Sequence, residues 1–60
     1  MFYKYYTCDL LPPNSESVDG SITQRFSIFK NPVECHREIV GALESQGFKD
    51  YRIVNFRRVK

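Results

Sequence analysis

The string Asn31-Pro32-Val33-Glu34 constrains this chain more than any other stretch. Asn offers a side-chain oxygen to the unpaired amides of a first helical turn. Proline fits the first helical position because it has no amide to pair, and a Glu three residues after the cap suits the positive end of the helix. A helix therefore begins at Pro32. Gly47 supplies the left-handed residue that ends a helix, and Phe48 is the apolar residue that closes such an end against Leu43, so the predicted helix spans 32–46. Its apolar positions, His36, Ile39, Val40 and Leu43 with Cys35 and Ala42 at the margins, follow three-and-four spacing, which predicts that His36 packs inward. Glu34, Arg37, Glu38, Glu44 and Ser45 turn to water. Gly41 weakens the helix and leaves room for close approach to a sheet.

On both sides of this single helix the pattern is that of strands. Residues 2–11 are rich in Tyr, Phe and Thr without Gly or Pro, which suits a pleated surface. Pro12 and Pro13 lack the amides a ladder needs and Asp19-Gly20 suits a turn, so 12–20 reads as a loop. Residues 21–29 alternate, with Ile22, Phe26 and Ile28 on one face and Thr23, Arg25 and Ser27 on the other. A last strand, 50–59, carries apolar residues that change phase between Ile53 and Phe56. That change requires either a bulge near Asn55 or partial cover on both faces.

Sixty residues make one domain, and one this small buries only roughly 60% of its unfolded surface. With 42% hydrophobic residues and five Phe and four Tyr among them, a packed core is expected. The order strand, strand, helix, strand predicts an α+β domain of two layers, ββαβ, with a three-stranded sheet in the order 2-1-3. Strands 1 and 2 form an antiparallel hairpin. The helical crossover is expected to make strand 3 parallel to strand 1, giving a mixed sheet. One helix covers one face only. If Tyr6, Cys8 and Leu10 join Ile22, Phe26 and Ile28 beneath the helix, then Tyr3, Tyr5, Thr7, Thr23, Arg25, Ser27 and Phe29 line the open face. Phe2 and Lys4 share the phase assigned to the covered side, which runs against that assignment.

The uncovered face directs the functional expectation: a non-enzymatic protein-binding or regulatory module acting through the open sheet face or a strand edge. Its partner would be a larger protein or a second copy of itself, with Tyr3, Tyr5, Arg25 and Phe29 as contacts, because such side chains join large area to a polar or cationic tip. The plainer reading is a wet sheet face whose aromatics serve β-propensity. A nucleic-acid-binding domain is the alternative. Lys49, Arg52, Arg57, Arg58 and Lys60 would neutralise phosphates while Tyr51 stacks on bases. The net charge of +2 is small, but residues 49–60 hold those five cations against Asp50 alone. Against this, edge strands carry Lys and Arg to discourage pairing with other chains, and no nucleic-acid motif string is present.

Cys35 and His36 are the one pairing with a flavour of thiol chemistry, since a helix start lowers a thiol pKa. Consecutive helical side chains nevertheless diverge by about 100° and no third group orients them, so no enzyme is expected. Cys8, Cys35 and His36 lack a fourth metal ligand, and a cofactor or small-molecule pocket of roughly 300–1,000 Å³ is hard to enclose here. Two cysteines are too few for a disulfide scaffold. The start has no signal-peptide pattern and no apolar run spans a bilayer, so reduced thiols and a cytoplasmic location are expected, with no membrane contact. The loop 12–20, acidic around Val18, reads as solvated and as a third binding candidate. In overall plan the chain is similar to small regulatory proteins of bacteria and their phages.

Overall fold

The computed structural model describes residues 2–60. Its elements are β1 (Tyr3–Leu11), β2 (Gly20–Ser27), α1 (Pro32–Ser45) and β3 (Arg52–Arg58), with the sheet ordered β2-β1-β3. β1 and β2 pair antiparallel, Tyr3 opposite Ser27 and Leu10 opposite Gly20. β3 also runs antiparallel to β1, so the sheet is antiparallel throughout rather than mixed. The crossover rule applies to the strands that the helix joins, and α1 joins β2 to β3. Those two flank β1 and run parallel to each other, a split βαβ unit, so β3 opposes β1 because β2 does.

Both helix ends are formed as their residues demand. The Glu34 amide donates to Asn31 Oδ1 at 2.9 Å and the Asn31 side-chain amide donates to Glu34 Oε1 at 2.7 Å. At the other end the Phe48 amide donates to the Leu43 carbonyl at 2.9 Å and the Gly47 amide to Glu44 at 3.1 Å, with Gly47 at φ 91°. These two bonds are the Schellman pair. The buried stripe is Cys35, Ile39 and Leu43, a strict four-residue row, with Val40 and Ala42 half-buried beside it. His36 is exposed instead of packed inward, its ring edge-on to Phe56 at 5.2 Å. The face is rotated by one residue from the expected one: the small Cys35 thiol takes the interior and the polar imidazole keeps its water.

Against that stripe the sheet presents Tyr6, Cys8 and Phe26, bordered by Leu10, Ile22, Ile53 and Phe56. Tyr6 stacks on Phe56 at 4.8 Å and meets Phe26 edge-on at 6.1 Å. Lys4 does share this covered face. Its ammonium donates to the Lys30 carbonyl and lies 5.7 Å from the Tyr6 ring, so the buried charge keeps polar partners. Phe2 precedes β1 and is 78% exposed.

A bulge explains the phase change in β3. Thr7 opposes Arg57 and Asp9 opposes Val54, which leaves Asn55 and Phe56 together facing Cys8. Asn55 adopts φ 54°, a left-handed conformation that Asn tolerates better than most residues. The extra residue returns Phe56 to the covered side. β2 ends earlier than its composition predicts, because the chain turns at Ile28 and Phe29, where the Lys30 amide donates to Ser27 at 3.1 Å. The β1–β2 loop is largely exposed and includes a turn closed by the Ser15 amide on the Pro12 carbonyl. No helix among the described residues is long and apolar enough to cross a membrane.

Candidate functional site

Alternation along β1 fixes the open face. With Tyr6, Cys8 and Leu10 turned to the helix, Tyr3, Tyr5, Thr7, Asp9 and Leu11 point the other way. Their partners in register share that face: Arg25 opposite Tyr5, Thr23 opposite Thr7, Ser21 opposite Asp9, and on β3 Arg57, Val54 and Arg52 opposite Thr7, Asp9 and Leu11. Cross-strand bonds stiffen the centre. Thr7 Oγ1 donates to the Ile22 carbonyl at 3.0 Å, and Thr23 Oγ1 donates to Thr7 Oγ1 at 3.0 Å.

Cations sit against the rings. The Arg25 guanidinium lies 4.4 Å from the centroid of Tyr3, which is itself 51% exposed, and the Lys60 ammonium lies 6.0 Å from that of Tyr5. Lys60 reaches Tyr5 because the pairing continues past β3: the Val59 amide donates to the Tyr5 carbonyl at 2.9 Å and the Tyr5 amide to the Lys60 carbonyl at 3.3 Å. Arg57 folds back on the bulge, donating from Nη1 to the Asn55 carbonyl at 2.7 Å. Among the strand residues of this face and Lys60 beyond them, Arg25, Arg52, Arg57 and Lys60 stand with Asp9 as the one carboxylate, and at its end Arg52 borders a hollow that Glu16 and Asp50 also line. The other side chains of the protein hold five cations against six carboxylates, so the small net charge conceals a strongly uneven distribution.

The two sets of residues predicted from the sequence therefore partly merge. Tyr3, Tyr5 and Arg25 from the first share one surface with Arg52, Arg57 and Lys60 from the second. Four predicted residues fall elsewhere. Phe29 is in the turn after β2, 91% exposed and off the sheet. Arg58 opposes Tyr6 and so belongs to the helix side, its Nε donating to the Lys60 carbonyl. Lys49 and Tyr51 lie at the helix end, around a hollow they share with Leu43 and Phe48, and Tyr51 meets Phe48 edge-on at 5.3 Å. Asp9 and Asn55, joined by an Asn55 Nδ2 to Asp9 Oδ2 hydrogen bond of 2.8 Å, belong to the face and are not among the site residues expected from the sequence. The signal for them was the phase change at Asn55.

Beneath the helix, Cys8 and Cys35 are both free and fully buried. Burial pushes the Cys8 thiol above its ordinary pKa, the adjacent Asp9 carboxylate adds to the rise, and Arg57 opposes it. Among the described residues no three or more His, Cys, Asp or Glu side chains group to hold a metal ion. Comparison with protein-family models, with curated proteins and with solved structures found no match.

Proposed function

We propose that the open sheet face is a platform for single-stranded nucleic acid. The observation that carries this reading is the alternation of cations and rings on one sheet face, Arg25 over Tyr3 and Lys60 near Tyr5, extended by Arg57 and Arg52. Rings give sequence-tolerant stacking surfaces, and cations beside them neutralise the phosphates that link stacked bases. Tyr3 and Tyr5 stand two residues apart on one strand, about 7 Å at their origins, which suits bases splayed along an extended strand. The same charge argues against pairing two copies through this face, since a two-fold would set the cations of one copy against those of the other. A regulatory role would follow from covering a single-stranded segment. Free buried thiols suit a reducing compartment such as the cytoplasm.

Titration of fluorescent oligonucleotides by anisotropy tests the reading. The protein should bind oligothymidylate at low salt and bind a duplex of equal length more weakly, with log K falling against log salt by roughly 0.7 per neutralised phosphate. Tyr3→Ala should weaken binding about tenfold without changing that slope, whereas Arg57→Ala should reduce the slope. Absence of binding at about 0.01 M salt, where screening is weakest, would rule the platform out.

A second reading, docking of a protein, is favoured by Phe2 and Phe29, both strongly exposed where β1 begins and β2 ends. That site lies at the end of the sheet and leaves the open face free. It predicts that Phe29→Ser abolishes capture of the partner and leaves oligonucleotide binding intact.

A further inference from the structure

We propose that Asp9 and Asn55 give the open face a preference for guanine, an inference that rests on the single-strand reading above. Asp9 is the one carboxylate among the strand residues of a face that carries Arg25, Arg52, Arg57 and Lys60. On a surface that held phosphates alone, this carboxylate would weaken binding. Nor is it neutralised by an ion pair, since the pair found among the described residues is Lys30 with Glu38 on the helix side. Its partner is neutral: Asn55, carried to it by the bulge in β3, donates from Nδ2 to Asp9 Oδ2 at 2.8 Å. A carboxylate only accepts, so the amide nitrogen faces Asp9 and the amide oxygen faces away.

The bond engages one carboxylate oxygen and one amide hydrogen. Asp9 Oδ1 and Asn55 Oδ1 are left as two acceptors, with the second amide hydrogen as one donor. Guanine's Watson–Crick edge matches this inventory in number and kind, with N1–H and the N2 amino group as donors and O6 as acceptor. Cytosine, adenine and thymine each present a single donor group on that edge. A hydrogen bond to the charged carboxylate is stronger than a neutral one, so the donor-rich edge gains most. Arg57, anchored on the Asn55 carbonyl, stands beside the pair with further N–H groups for the adjoining phosphate.

The experiment compares the intact protein with oligothymidylate of about eight nucleotides, the same strand with one central guanine, and the same strand with hypoxanthine at that position, which lacks the N2 amino group. Guanine should bind about tenfold tighter than the all-thymine strand, and hypoxanthine in between. Asp9→Asn should abolish the preference and tighten binding of the all-thymine strand, because a negative charge leaves the face. Asn55→Gly, which retains the left-handed backbone and removes the amide, should abolish the preference too. Circular dichroism of both variants confirms the fold. Equal binding of the three strands by the unaltered protein, or a preference that survives Asp9→Asn, overturns guanine reading and leaves the platform standing. No binding to any strand overturns both.

Discussion

The Cys8 thiol, at 0% exposure on the central strand, is held above its ordinary pKa chiefly by burial. A raised thiol pKa means that the folded state keeps a proton the unfolded chain releases. Its contribution to stability is therefore full below the ordinary thiol pKa and is lost as pH rises through the folded value. Urea unfolding from pH 7 to 10 should show stability falling on the alkaline side, and Cys8→Ala should flatten that fall. The identity of Cys8 as a covered-face residue was legible from its even position with Tyr6 and Leu10. Asn55 was legible in part. The odd spacing from Ile53 to Phe56 required an irregularity, but its bond to Asp9, 46 positions away, depends on register that no local pattern contains. The exposure of His36 was not legible, because three-and-four spacing admits neighbouring stripes and only packing selects between them.

Among the elements, α1 is the most locally specified. The reciprocal Asn31 and Glu34 bonds and the Schellman end involve residues no more than five apart, so short-range chemistry sufficed to locate the helix. Asn31→Ala should lower stability by about 1 kcal/mol, as removal of a helix cap does, measured by chemical denaturation. Asn31→Asp should be tolerated far better. β2 was equally legible in its alternation, yet its end was not: Ile28 and Phe29 have strand propensity and are diverted by the turn that leads into the cap. β3 took its direction from the path of the helix. A crossover links the strands at its own two ends, and assigning it to the wrong pair yielded the parallel orientation that the structure corrects.

At the scale of the whole molecule the margin is thin. A domain of this length has a stability of roughly 3–9 kcal/mol, and a buried Ile cut to Ala costs about 2–5 kcal/mol. Ile39→Ala should therefore lose most or all of its cooperative thermal transition, while Val33→Ala, at an exposed position of the same helix, should melt within a few degrees of the unaltered protein. The candidate site exists only at this scale. Tyr3 and Tyr5 come from the start of the chain, Arg25 from the middle and Arg57 from the end, and antiparallel pairing on both sides of β1 sets them on one face, which the Lys60 ammonium reaches at the Tyr5 ring. Local chemistry set the number, kind and order of the elements and left one sheet face open, because capping, alternation and turn geometry act over a few residues. The direction of β3, the stripe of α1 that packs inward, and the union of two residue sets into one surface were settled by long-range pairing, because each depends on which distant backbone groups hydrogen-bond to one another.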